Sequence, residues 1–492
     1  MTGSLIVRAP RRTALIAVGA VTLLLCLAGL VPAGPASAAE GPLATAFTRA
    51  AAAHGVPRDL LVALAYAETH LDGHDGRPSA SGGYGVAHLV SNPTLHTLEE
   101  AARLTGAPVA SLKADDAANV AGAAAVLRAG ADALGLDAAA RADADRWYTA
   151  VARYGGASTP EVARLYADAV YDLLSAGFSA RTPAGETITV AARPAHPDRG
   201  ALANARDLDQ PENRTLAAAA VDYPGATWVA ASTANYAVSD RPASDSIDRI
   251  VIHVTQGSYA GTISWFQNPA AQVSAHYVVR SSDGAITQMV REKDRAWHAG
   301  NSDYNHHSIG IEHEGYVDDA SWFTDAMYRS SAALVRSVAA RYGIPTDRSH
   351  IVGHSQVPGS DHTDPGPYWD WTTYMRYVTG GGGTGNPYTP EQVCGSGYSV
   401  IDSAALGTAG TVYLLYNSGN GYNCVVTLKK TSLGTATATT AYLEVQGKSR
   451  VTDSGSYGYY AGPVRAAAAD KCVKWGGKAG SSTYDSPFEH CG

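Results

Sequence analysis

Four consecutive glycines, Gly380 to Gly383, interrupt this chain of 492 residues and set which parts can share a core. A glycine run has no side chains to bury and acts as a flexible joint, so the sequence on each side must pack on its own. Of the five cysteines only Cys26 precedes the joint; Cys394, Cys424, Cys472 and Cys491 follow it. An even, clustered set of this kind reads as two disulfides confined to the C-terminal region. Three pairings are possible, and the nearest-neighbour one is favoured. The histidines are distributed the other way: nine of the 16 fall within residues 236–380.

The N-terminus reads as an export signal. Arg8, Arg11 and Arg12 precede an apolar run from Thr13 to Val31, and Ala36-Ser37-Ala38 forms an A-x-A-like cleavage site. The run is nearly long enough to span a bilayer, but the cleavage site favours removal of residues 1–39, leaving no stable membrane anchor. The processed chain then carries 34 basic against 45 acidic residues. That balance excludes nucleic acid as the expected partner, because phosphate binding asks for a basic face.

Pattern divides the rest. Residues 40–185 are rich in Ala and Leu with long helical runs, such as Pro57 to Thr69 and Ala117 to Ala131. Residues 186–235, with Pro194, Pro197, Pro211 and Pro224, read as a linker. Residues 236–379 alternate strand and helix signals: Arg249 to His253, Ala275 to Val279 and Ile309 to Glu314 are short strands, and Thr324 to Tyr342 is an amphipathic helix. Residues 380–390 are a Gly-rich linker. Residues 391–492, rich in Thr, Val, Tyr, Ser and Gly, read as all-β. The expectation is a multidomain chain, with a helical N-terminal domain, a central α/β domain with a mixed sheet, and a C-terminal all-β, disulfide-bonded domain.

His253 ends an apolar strand, His354 follows another short apolar stretch, and Asp364 lies ten residues further on. Two imidazoles and a carboxylate suit zinc, and three protein ligands leave a fourth position open for water. Glu312 sits on a neighbouring strand. Alternation puts Glu314 on the same face, which makes it the alternative base, and turns His313 away. His276 and His298 read as structural or supporting residues, and His306 and His307 as loop residues.

The segments Ile250-Val251-Ile252-His253, Ser274-Ala275-His276-Tyr277, Ala296-Trp297-His298-Ala299-Gly300, Ser308-Ile309-Gly310-Ile311-Glu312, Val352-Gly353-His354-Ser355 and Thr363-Asp364-Pro365-Gly366-Pro367 occur in order. This set resembles the zinc-dependent N-acetylmuramoyl-L-alanine amidases, which include the peptidoglycan recognition proteins. The resemblance implies Zn2+ held by His253, His354 and Asp364. It also implies Glu312 as acid/base and His362 as the group stabilising the oxyanion. The expected substrate is peptidoglycan and the expected location extracellular, in association with the cell wall. The expected state is a monomer.

Residues 40–175 resemble the lytic transglycosylases of the lysozyme-like superfamily. The carriers are Leu60 to Thr69, Ser79-Ala80-Ser81-Gly82-Gly83-Tyr84-Gly85, Asn119 and Ala150 to Gly155. The resemblance implies Glu68 as a catalytic acid for glycan cleavage; Ala87-His88 departs from the family's Met-Gln pair. Residues 391–492 are similar to spore-associated protein A of filamentous actinobacteria, through Thr411 to Asn417 and Cys472-Val473-Lys474-Trp475-Gly476. Two rivals to a plain amidase follow: a peptidoglycan-binding protein without activity, and a bifunctional amidase and transglycosylase.

Overall fold

Proline in the first turn and glycine past the last mark out the first helix, Pro42–His54, which ends at Gly55 with φ 63°. Helices Arg58–Thr69, Asp116–Ala133 and Pro160–Ala176 follow, the second of them capped by the Asp115 carboxylate on Ala118 N–H. They enclose Phe47, Leu60, Leu61, Leu64 and Trp147, all fully buried. The computed structural model describes residues 41–209, 221–380, 386, 388–395, 397–433 and 435–491. The expected export signal lies outside these residues, as do 210–220 of the expected linker and 381–385 of the Gly-rich joint. No helix among the described residues is long and apolar enough to cross a membrane.

The linker expected at 186–235 contains ordered structure. A hairpin of Phe178–Arg181 with Thr187–Val190 closes the helical region, and Ala226–Trp228 is an edge strand of the central sheet, parallel to Ile286–Gln288. Its prolines hid a short pairing segment that tertiary context makes a strand.

The central sheet has six strands in the spatial order Ile351–Gly353, Arg249–Val254, Ser308–His313, Tyr277–Val279, Ile286–Gln288 and Ala226–Trp228. The first four run parallel, and Ile286–Gln288 turns back antiparallel to Tyr277–Val279. Parallel strands need cover on both faces. Helix Asp325–Tyr342 supplies Met327, Leu334, Val335 and Val338 against Ile250, Ile252, Ile309 and Ile311. On the other face helix Tyr259–Gln267 brings Tyr259, Ile263 and Phe266 into the core of the helical region, together with Ala275 and Val278.

That shared core holds Glu68, the candidate acid for glycan cleavage, at the seam with the amidase region. Its side chain is 4% exposed. One oxygen accepts from Tyr166 Oη at 2.7 Å, and the other from Ser258 Oγ, at the start of the amidase-region helix, at 2.8 Å. His70 stacks on Trp322 at 3.6 Å and His74 on Tyr316 at 3.8 Å. The apolar and aromatic rim that surrounds Glu68 closes on the central sheet, so the carboxylate is not presented to a polysaccharide in this arrangement.

Beyond the joint, two four-stranded antiparallel sheets enclose Val412, Leu414, Val425, Leu443 and Trp475. The disulfides are Cys394–Cys424 and Cys472–Cys491, the nearest-neighbour pairing.

Replacing Glu68 by Ala leaves the buried hydroxyls of Tyr166 and Ser258 without their acceptor. Each buried group left unsatisfied costs about 1–3 kcal/mol, so urea unfolding should show Glu68→Ala destabilised by about 2–6 kcal/mol in all, and Glu68→Gln by clearly less. A Glu68→Ala chain as stable as the parent would contradict the buried placement.

Candidate metal and catalytic site

Register builds the site. Parallel pairing sets Glu312 directly beside His253, and Gly353 beside Ile252, so His354 follows at the same level on the other flank. Side chains at one level of a parallel sheet share a face. Glu312, His253 and His354 therefore stand in a row where three adjacent strands end. Asp364 arrives from the loop that follows: Ser355 N–H donates to its carbonyl oxygen at 2.9 Å. Its carboxylate then reaches His253 Nδ1 at 3.3 Å and His354 Nδ1 at 3.2 Å.

One ligand atom from each of His253, His354 and Asp364 lies within 4.8 Å of the other two, and all three residues are buried. His354 Nε2 and Glu312 Oε2 are buried with no hydrogen-bond partner among the described residues. Buried polar atoms are ordinarily satisfied, and orphans beside a two-nitrogen, one-oxygen cluster fit a divalent cation of borderline softness such as zinc. Burial lowers the His253 pKa to about 4, so the ring is a neutral donor. Burial alone would raise the Asp364 pKa, but the close imidazole rings of His253, His354 and His362 outweigh it and hold the carboxyl well below its usual range. Burial, and then the charge of Asp364, push Glu312 well above.

The structure separates the two candidate bases. The strand ends at His313, so Glu314 has left the alternation, and its two oxygens accept from the backbone N–H groups of Tyr259 and Ser281, both at 2.8 Å. Glu314 is thereby committed to loop structure while Glu312 keeps an oxygen uncommitted. His362 lies at the rim, its side chain 58% exposed, stacked on His354 at 4.0 Å and 3.6 Å from Asp364. His313 faces away, its Nδ1 donating to His253 O at 2.8 Å and its Nε2 meeting Ser331 Oγ at 2.6 Å. His306 and His307 are not in an open loop: they close the short helix Ser302–His307, half-buried against Asp245 and Ser246.

One feature escaped the sequence. Arg241 is 2% exposed, and its guanidinium donates to the carbonyl oxygens of His306, Ser308, Glu292 and Asp294, tying together the loops behind the site. No pattern marks a lone buried arginine. His298 touches His253 Nε2 through Nδ1 at 2.9 Å. Gly310 makes that possible: a Cβ there would sit 2.4 Å from the His298 ring. Gly310→Ala should therefore displace the ring and destabilise the chain by about 1–3 kcal/mol, the usual cost of overpacking. Thermal unfolding checks this, and an unchanged midpoint would mean that the ring is free to move aside.

Known proteins match this region. The family model described as N-acetylmuramoyl-L-alanine amidase covers residues 243–367, which include all four of His253, Glu312, His354 and Asp364. N-acetylmuramoyl-L-alanine amidase A of Achromobacter lyticus is 45% identical over 181 residues, 33% of this chain and 99% of that protein. The 1,6-anhydro-N-acetylmuramyl-L-alanine amidase AmpD of Citrobacter freundii is 41% identical over 114 residues, 22% of this chain and 58% of that protein. Spore-associated protein A of Streptomyces coelicolor is 45% identical over 101 residues, 20% of this chain and 65% of that protein. A family match across the row of His253, Glu312, His354 and Asp364, together with near-complete coverage of one amidase, makes this chain a member of the N-acetylmuramoyl-L-alanine amidase family.

Proposed function

We propose that the chain is a secreted, zinc-dependent peptidoglycan hydrolase that cuts the amide between the lactyl group of N-acetylmuramic acid and L-alanine of the stem peptide. The observation that carries this reading is the buried row of Glu312, His253 and His354 closed by Asp364. His253, His354 and Asp364 would hold the metal. Bound there, zinc would lower the pKa of water towards about 7 and polarise the scissile carbonyl.

The residues of the chain do the rest. Glu312 Oε2 takes a proton from the attacking water and delivers it to the departing alanine nitrogen. His362, on the rim above His354, donates to the oxygen that gains negative charge. His253 and His354 would offer ring-nitrogen lone pairs, and Asp364 would offset part of the cation's charge. A non-catalytic binding protein would not need Asp364 as third ligand or an uncommitted buried Glu312.

The remaining regions take supporting roles. We assign residues 1–39 to an export signal, 40–185 to a helical region of lytic transglycosylase type, and 236–379, with its edge strand from 226–228, to the amidase. Residues 391–492 form a disulfide-held surface module similar to spore-associated protein A. Two disulfides favour an oxidising, extracytoplasmic location. Burial of Glu68 argues against a bifunctional enzyme.

Metal removal should abolish muropeptide release. Zinc should restore it, and mass spectrometry should find free lactyl carboxylates and stems beginning at L-alanine. Anhydro-sugar ends in place of those products would overturn the reading. Glu312→Gln should keep zinc and fold yet lose a factor of about 10² to 10⁴ in rate. If Glu314→Gln is the inactive variant and Glu312→Gln is active, the base is misassigned.

A further inference from the structure

We infer that His298 and Ser308 act as a positioning pair that fixes the tautomer of His253, keeping the proton on Nε2 so that Nδ1 presents a lone pair to the metal position. The inference rests on the reading of His253, His354 and Asp364 as ligands.

The hydrogen bonds can be followed inward from the far end. Tyr304 O is a carbonyl oxygen and only accepts, so the Ser308 hydroxyl donates to it. A hydroxyl has one proton, so Ser308 Oγ accepts at its other contact, His298 Nε2 at 3.2 Å. His298 therefore carries a proton on Nε2. The ring is buried, and no Asp or Glu forms an ion pair with it among the described residues, so it is neutral and its Nδ1 holds a lone pair. That lone pair accepts from His253 Nε2 at 2.9 Å. Buried and neutral, His253 has one ring proton, and Nε2 has it.

His253 Nδ1 is then bare where it faces Asp364 Oδ2 at 3.3 Å. Two acceptors set against each other repel unless a cation lies between them, and that is the arrangement a metal requires. The reverse tautomer would place a bare Nε2 against the bare His298 Nδ1. The pair is held firmly in position. Asn305 Oδ1 accepts from the backbone N–H groups of His298 and Ala299 at 3.1 and 2.9 Å, and Gly310 leaves the space the ring fills. Ser308, Gly310 and Glu312 alternate along one strand face, so one strand supplies the end of the relay, room for its ring and the carboxylate beside His253.

Hydrogen-bond partners behind a metal-ligating histidine are commonly worth about 10–100-fold in metal affinity. The test is zinc affinity of the full chain, stripped of metal and titrated against a competing chromogenic chelator. Ser308→Ala and His298→Phe should each weaken zinc binding by about 10-fold or more. His298→Asn should stay within a few-fold of the parent, because Asn Oδ1 stands where the ring Nδ1 stood and accepts from His253. If Phe binds zinc as well as Asn does, the ring only fills space and the inference is overturned. Should His298→Phe not fold, Ser308→Ala decides alone, and unchanged affinity there overturns the relay. Asp364→Ala separates the two readings. If it binds zinc like the parent, the ligand set is wrong. If it loses zinc while Ser308→Ala and His298→Phe bind normally, only the positioning pair is wrong.

Discussion

Parallel pairing between the strands that end in His253 and Glu312 is the constraint on which the rest depends. A shift of one residue would turn every side chain to the opposite face. Glu312 would then enter the apolar layer under helix Asp325–Tyr342, and Ile311 would replace it beside His253. The register is protected by burial on both faces: Ile250, Ile252, Ile309 and Ile311 have no favourable place other than that layer. The energy that aligns the polar row comes from the apolar row behind it, at roughly 1.5–3 kcal/mol for each large aliphatic side chain removed from water.

The same logic explains why a helical region stands against this sheet. Helix Tyr259–Gln267 begins six residues after His253, and its inner face joins the core of the helical region. The turn between them is held from across the seam: Ala80 N–H donates to Gln256 O at 3.1 Å, and the Ser258 hydroxyl binds Glu68. The loop nearest the metal position is thus braced by residues nearly two hundred positions earlier in the chain.

Much of the site was legible because its chemistry demands residue types that are rare together. Two histidines at strand ends and an Asp before a Pro-Gly-Pro stretch stand out, and the ordered motifs tie them to one family. Glu312 was legible for the same reason. The resemblance puts Glu312 before Glu314; alternation alone does not separate them, because it holds only while the strand lasts, and the strand stops at His313. Glu68 was left unplaced for a different reason. Its apolar neighbours are compatible with a glycan cleft and with a buried seam alike, and sequence does not say which surface covers them. The edge strand at 226–228 was hidden in a proline-rich stretch, since three residues are too few to show a period.

The apolar clusters also differ in how they are partitioned along the chain. Among the described residues one cluster draws on both the helical region and the amidase region, from Leu43 to Ala296, whereas those of the C-terminal sheets contain no residue before Tyr388. Recombination at the glycine run would separate two bodies whose cores are already complete. A crossover between Gly177 and Trp228 would instead strand Ile263 and Phe266 with nothing to cover them. The helical and amidase regions of this chain thus share one apolar core, whereas the cores of the disulfide-bonded sheets are drawn from residues after the glycine run.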